Sequence, residues 1–420
     1  MKTTVENTAN LEKMIMVLEK IAEHRKKSPT TKSEGLYYNL LAKYYRNVQE
    51  SKEERKLIGA HTVMCPPELL RAMDITPIHL ESGASTMAIL LSNYAEYFDL
   101  ASGFGYAPEV CSAHRLLAGS FIKGDFPKPD FLIWSNQVCD NTAKSGDALT
   151  LLYDVPGFYL DRPYNSSENE AQYYIKQLEY LIAFLEEQTG ESMDYERLGE
   201  VVGLAEQVHK LAREIYEMRK TSPAPMRNRA SMNLRIIEWL WSGTPEAIHY
   251  FEMVRDEVKA QIAEKNDTET QENYRLLSIF APPFYEMKML DWMEREYGAK
   301  IAIDYGSSWW AEGEMDPGKP VESLARQSFY HPGARQMHGP GLNFIDDAVK
   351  LAKDFQVDAA LYYAHIGCRQ ACALIRAVKD KLKDEAGIPT LVLDCDIMDP
   401  SLTPEGDMRD KLEGFFEMLE

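Results

Sequence analysis

The chain has 420 residues, 45% hydrophobic and 27% charged, enough for two or three domains with substantial cores. Its formal net charge of -20 argues against nucleic acid, which needs a basic face, and no apolar run nears the roughly 20 residues of a membrane helix. The N-terminus lacks the apolar core of a signal peptide, and six cysteines in so long a chain do not read as a disulfide framework, so the expected location is cytoplasmic.

Residues 1–55 are predicted to form an N-terminal helical arm. Leu11, Met14, Ile15, Leu18 and Ile21 make one apolar stripe, which Leu36, Leu40, Leu41 and Tyr44 continue after a break at Ser28–Pro29. The arm is expected to pack on a later domain or on a second subunit. Residues 56–165 read as a first α/β domain, with strands at Ala60–Met64, Pro77–Leu80 and Pro129–Ser135. Cys65 lies just past the first strand, Cys111 at a predicted helix start, and Cys139 just past the third. Glu68 follows Pro66–Pro67 in a helical first turn, where it complements the dipole or serves as a proton donor. The GFG at 103–105 lacks the full spacing of a phosphate loop and reads as a turn.

Residues 166–270 read as a helical bundle, with helices at Tyr173–Glu187, Tyr195–Lys220, Ser231–Ser242 and Pro245–Glu264 and Asp194 as an N-cap. No chemistry is expected from it. Residues 271–420 read as a second α/β domain, with strands at Leu276–Phe280 and Lys300–Asp304 and a helix at Tyr285–Tyr297. The stretch Gly306 to Gly341, with Trp309, Trp310, His331, Arg335 and His338, reads as an irregular lid or wall over a site. After a helix at Phe344–Phe355 comes a parallel βαβ unit: strand Ala359–Tyr363, helix Arg369–Lys383 closed by Gly387 and Pro389, and strand Thr390–Leu393. The fold class is therefore α/β: two parallel-sheet domains joined by a bundle, with an N-terminal arm.

Ligands gather beyond the carboxyl ends of strands in such units. His365, Cys368 and Cys372 land there after one strand, and Cys395, Asp396 and Asp399 after the next. A helix N-terminus at Cys368 is expected to favour its thiolate. The cysteines thus form two trios separated by more than half the chain, as two halves closing on a shared object would require. Thiolates select soft metals. Without a CxxC pair, zinc fits poorly, and an iron–sulfur centre fits better. Six thiols can hold two cubanes by three each, each with one iron open, or one three-cysteine cubane with three thiols unused. Taken singly, each of Cys368, Cys372 and Cys395 reads rather as a small buried hydrophobe, and it is their clustering that points to chemistry. His365, Arg369, Gln370, His114 and Arg115 are placed to tune such a centre or deliver protons.

The runs CPPELLRAMDITPIHL from Cys65, VCSAHRLLAGSFIKGDFPKPDFLIWSNQVCDNT around Cys111 and Cys139, and HIGCRQ with GIPTLVLDCDIMDP resemble the 2-hydroxyacyl-CoA dehydratase / benzoyl-CoA reductase superfamily over nearly the whole chain. The resemblance implies two Rossmann-like domains around an iron–sulfur cluster. It also implies a separate homodimeric activator that hydrolyses ATP, carries its own 4Fe–4S cluster and supplies electrons. ATP is then used by the partner and not bound here. The total of six cysteines, with Cys372 and Cys395 the clearest additions, is most similar to the double-cubane cluster proteins. That implies an 8Fe–9S cluster on Cys65, Cys111, Cys139, Cys368, Cys372 and Cys395, a homodimer, and reduction of small molecules. The alternatives are a dehydratase or benzoyl-CoA reductase subunit with one 4Fe–4S cluster, and an electron-carrier or cluster-storage protein.

Overall fold

The computed structural model describes residues 8–27, 31–91, 94–264, 272–306 and 313–419. Two four-stranded sheets occur among them. The first contains β1 (Ile58–His61), β2 (Thr76–His79), β3 (Phe131–Ser135) and β4 (Gly157–Leu160). The second contains β5 (Tyr274–Ile279), β6 (Ala299–Asp304), β7 (Ala359–His365) and β8 (Thr390–Cys395). Every neighbouring pair is parallel, and the orders β2-β1-β3-β4 and β6-β5-β7-β8 repeat one winding twice. The predicted α/β class with two Rossmann-like sheets is what the structure has. In each sheet the winding reverses between the first and third strands, and that reversal opens a crevice at the carboxyl edge.

Helices cover both faces, so strand residues alternate between two cores. Leu277, Ile279 and Tyr362 face one core of the second sheet, and Leu276, Leu361 and Tyr363 the other. The arm consists of helices Ala9–Lys27 and Lys32–Glu53. Its stripe of Leu11, Met14, Ile15 and Leu18 is buried within this chain, in one core with Met87 and Tyr97. Asn10 Nδ2 donates to Asp125 Oδ1 at 3.0 Å. Of the two expected destinations, the stripe takes the intramolecular one.

The bundle comprises Glu168–Thr189, Tyr195–Met218, Ala230–Trp241 and Pro245–Ala263, the four helices the periodicity predicts. Asp194 caps the second, accepting from Glu196 N–H at 3.0 Å and Arg197 N–H at 3.1 Å. Gly387 sits at φ +70, the left-handed conformation a helix end needs and glycine adopts without strain.

Three features differ from the sequence reading. Strand β4 is not evident in the sequence, because its half-exposed edge position leaves no apolar alternation. Helices Leu80–Leu91 and Tyr94–Phe104 fill this region, and the GFG segment is not a free turn: Gly103 and Phe104 close the second helix and Gly105 leaves it at φ +116. The described part of the stretch, from 313 to 341, holds helices Pro320–Phe329 and Pro332–Met337, each opened by proline. Trp309 and Trp310 lie outside the described residues. No helix among the described residues is long and apolar enough to cross a membrane.

Candidate functional site

Cys65, Cys139 and Cys368 lie between a strand and the helix that follows it, Cys111 between two helices, Cys372 one turn into a helix, and Cys395 at a strand's end. Cys65 follows β1 in a turn closed by Cys65 N–H to Thr62 O at 3.3 Å. Cys111 caps helix Ser112–Lys123, and Cys139 caps helix Asp140–Tyr153 with its sulfur accepting Asn141 N–H at 3.4 Å. Cys368 caps helix Arg369–Ala386, its sulfur accepting Ala371 N–H at 3.5 Å. Cys372 lies one turn further and donates to His365 O at 3.2 Å. Cys395 ends β8.

A cavity of about 270 Å³ opens between the carboxyl edges of the two sheets. Cys111 and Cys139 reach it from the first sheet, Cys368 from the second, and Arg235 and Trp239 from the bundle. The bundle thus contributes to the site, contrary to the expectation that it would not. Val63, Ile236, Phe280 and Met398 make much of the wall apolar.

The other three thiols stand apart from this cavity. Cys372 and Cys395 lie close enough together that Cys372 helps hold the Cys395 thiol neutral. Cys395 packs in the outer core with Tyr363 and Leu393. Cys65 opens on a second, smaller cavity, which shares Arg235 and Trp239 with the first. Of the six sulfurs expected to share one site between the two α/β domains, three line the central cavity.

Burial dominates the titration of these groups. It pushes Cys65, Cys368 and Cys395 up to about 12, and raises Cys139 and Cys372. Cys111 is raised well above the ordinary thiol value by burial, and further by the thiols of Cys139 and Cys368. Burial outweighs the helix N-terminus at Cys368: the N–H groups of Ala371 and Gln370 do favour the thiolate, but the loss of hydration is larger. A bound metal reverses that balance, since a coordinating thiol is deprotonated outright.

His365 is the hinge of the site. Its Nδ1 accepts Ile397 N–H at 3.4 Å, so Nε2 carries the proton and donates to Cys111 Sγ at 3.1 Å across the domain boundary. Asp396 Oδ2 lies 3.7 Å from Nδ1, and Asp396 Oδ1 accepts from Ser112 Oγ and two backbone N–H groups. His114 lines the cavity, bonded through Nδ1 to Ser145 Oγ at 2.9 Å; burial lowers it to about 4. Gln370 and Arg369 stand at the mouth, with Arg369 3.4 Å from Asp140 of the other domain. Arg115 lies 3.6 Å from Asp399, again across the boundary, and does not line the cavity. Glu68 is also absent from it: buried, it bonds Ser242 in the second cavity, with His61, His79, His209 and His331. Glu81 lines the central cavity and escaped the sequence reading, although its place just after β2 is the same kind of strand end that drew attention to the cysteines.

Among the described residues no group of three or more His, Cys, Asp or Glu is spaced to grip one metal ion. In a cluster each thiolate binds a different iron, so the ligands stand farther apart. Three soft donors reaching one largely apolar cavity from both sheets fit a cluster better than a single ion.

The family model described as 2-hydroxyglutaryl-CoA dehydratase, D-component, matches residues 62–419. The chain is 24% identical to the (R)-2-hydroxyisocaproyl-CoA dehydratase alpha subunit of Clostridioides difficile, over 91% of this chain and 95% of that one. It is 23% identical to the (R)-phenyllactyl-CoA dehydratase alpha subunit of Clostridium sporogenes, over 88% and 91%. It is 22% identical to a benzoyl-CoA reductase subunit of Thauera aromatica, over 75% and 78%.

Proposed function

Because the chain belongs to the 2-hydroxyglutaryl-CoA dehydratase D-component family, we propose that it is an iron–sulfur enzyme reducing small molecules at a double-cubane 8Fe–9S cluster. Electrons come from a separate ATP-hydrolysing iron–sulfur reductase with its own 4Fe–4S cluster. The supporting observation is the convergence of three thiols, Cys111, Cys139 and Cys368, on one cavity from both sheets. Cys65, Cys111 and Cys139 would hold the cluster from the first domain, and Cys368, Cys372 and Cys395 from the second. When bound, the group supplies low-potential electrons and an iron open to a non-protein ligand.

The chain's own residues do the rest. The apolar wall keeps water from the reacting bond. His365 Nε2–H, donated to Cys111 Sγ, stabilises negative charge on that sulfur and would raise the potential of a centre bound there. The Arg369–Asp140 pair joins the two domains at the mouth. His114, held neutral by burial, offers a hydrogen bond without adding charge. We further propose a cytoplasmic homodimer. Because the arm's stripe is already covered, the second copy takes another surface.

A second reading has its own support. Cys111, Cys139 and Cys368 alone among the six thiols line the central cavity, and relatives are named as alpha subunits of dehydratases. On that reading the chain carries one 4Fe–4S cluster and pairs with a different subunit. The test is iron and acid-labile sulfide per chain after anaerobic reconstitution, with the oligomer measured by light scattering. About eight irons in a homodimer support the double cubane, and about four support the dehydratase-type subunit. A loaded chain that reduces nothing when given the reductase and ATP would point to electron carriage or cluster storage.

A further inference from the structure

We propose that the substrate meets iron at the wall formed by Ala281, the second domain's counterpart of Cys65, an inference that rests on reading the central cavity as the seat of an iron–sulfur centre. The two α/β domains repeat one plan. β1 and β5 hold the same place in their sheets, second in the orders β2-β1-β3-β4 and β6-β5-β7-β8. The same turn follows each. Met64 stands at φ +67 and leads into Cys65, Pro66 and Pro67, while Phe280 stands at φ +67 and leads into Ala281, Pro282 and Pro283. The left-handed conformation is unfavourable for a residue with a side chain, so its presence at both places shows one turn used twice. The third strands match as well. Cys139 caps the helix after β3, and Cys368 caps the helix after β7. The residues that follow them, Asp140 and Arg369, lie 3.4 Å apart, so equivalent positions of the two domains meet across the boundary.

At the turn after the first strand the repeat differs by one thiol. The first domain has Cys65 there, and the second has Ala281. Ala281 is half-buried, lines the central cavity, and packs against the core that contains Cys111. Cys111, Cys139 and Cys368 line the same cavity, and three thiolates leave one iron of a cubane without a protein ligand. Other groups of the cavity that could bind iron are engaged: His365 with Cys111, His114 with Ser145, Asp304 with Arg219 and Glu81 with Val63 N–H. Beside Ala281 the wall is Phe280, Pro282 and Phe284, whose side chains offer no donor to a metal. A ligand completing the iron at this wall therefore comes from outside the chain. It meets a methyl group and apolar rings, which replace none of the water a charged group would lose. The position thus suits a small, neutral molecule that binds iron through one end.

The test restores the missing thiolate. Wild type, Ala281→Cys, Ala281→Ser and Ala281→Val are reconstituted anaerobically, reduced, and treated with isotopically labelled cyanide, which enters as neutral hydrogen cyanide. In wild type the label should broaden the electron paramagnetic resonance signal of the centre. Ala281→Cys should hold as much iron and sulfide as wild type, release its iron to a chelator more slowly, and lose the broadening. Ala281→Ser, similar in size but without the thiolate, should keep the broadening. Ala281→Val, which fills the place and offers no ligand, should keep its iron and lose the broadening, and it carries the test if Ala281→Cys does not fold. If the folded, iron-loaded Cys and Val variants bind cyanide as wild type does, the open iron does not face Ala281. A wild type that holds its cluster but shows no broadening has no open iron, which overturns this inference and leaves the iron–sulfur reading standing. A wild type that holds no iron overturns both.

Discussion

At the scale of single residues, Cys395 separates the two accounts of the cluster. It ends β8 and packs in an apolar core, where alanine would fit with the loss of one buried sulfur. Cys395→Ala should therefore fold, with a urea midpoint close to wild type. If Cys395 is a ligand, the reconstituted variant holds much less iron and loses ATP-dependent reduction. Full iron content would instead assign Cys395 to the core and favour the three-cysteine centre. Gly367 is a second sensitive residue. A Cβ there would stand 2.8 Å from Cys111 Cα and 2.9 Å from His365 Nε2, closer than real Cβ atoms approach. Gly367→Ala should push the two domains apart at the cavity, costing about 1–3 kcal/mol of stability and lowering iron retention. A variant as stable and as iron-rich as wild type would show that the two edges do not meet as closely as described.

At the scale of elements, helix Ser112–Lys123 sets the position of Cys111. It is buried along almost its whole length and lies against Tyr94–Phe104. The two backbones meet at Gly119, whose added Cβ would fall 2.2 Å from Tyr97 O. Only glycine permits that approach, and the opposing atom is backbone, which cannot swing aside. Gly119→Ala should destabilise the chain by about 1–3 kcal/mol in urea, with overpacking rather than propensity as the cause. A neutral or stabilising effect, as alanine gives in an exposed helix, would mean the helices are not in contact there. Asn228, at the start of the bundle's third helix, ties down a helix and strand β6 of the second domain. Its side chain donates to Leu290 O at 3.1 Å and Ala299 O at 2.9 Å and accepts Ile301 N–H at 2.7 Å. Asn228→Ala strands buried backbone groups and should cost several kcal/mol, at about 1–3 for each left unpaired. Thermal melts of the variant measure it.

At the scale of the molecule, buried titratable groups set the acid limit. Burial lowers His61 to about 4 and His209 to about 3, and takes His79 and His331 well below the ordinary value. The unfolded chain binds a proton at each near pH 6.5 and the folded chain does not. The stability from each is fully present above 6.5 and is lost as pH falls below it, by about 2 kcal/mol at pH 5. Burial raises Glu81 and Glu238 to about 7, with the opposite sign. The fold keeps their protons between 4.5 and 7, so their contribution is present in acid and lost as pH rises to 7. Four histidines against two carboxyls leave a net loss on acidification. The urea midpoint should be lower at pH 5 than at pH 7.5. An equal or higher midpoint at pH 5 would mean that the buried histidines are charged in the fold.

The sequence by itself determined what local pattern determines. Continuous apolar runs such as 359–363 became strands, apolar spacing in the bundle became its four helices, and Asp194 and Gly387 became the caps their chemistry favours. The same local logic put the cysteines at strand ends and helix starts, with Cys372 one turn further in, and so made the family resemblance legible. β4 escaped it because an edge strand half in water carries no alternation, and the helices within 306–341 escaped it because they are short. Only the tertiary structure decided which thiols share a cavity. Direction from a strand end depends on the turn that follows, and the turn after β1 sends Cys65 to a second cavity while Val63 faces the first. It also brought Arg235 and Trp239 from a bundle whose sequence shows only helical periodicity. Those facts depend on which surfaces meet across long sequence separations, and no local pattern encodes that.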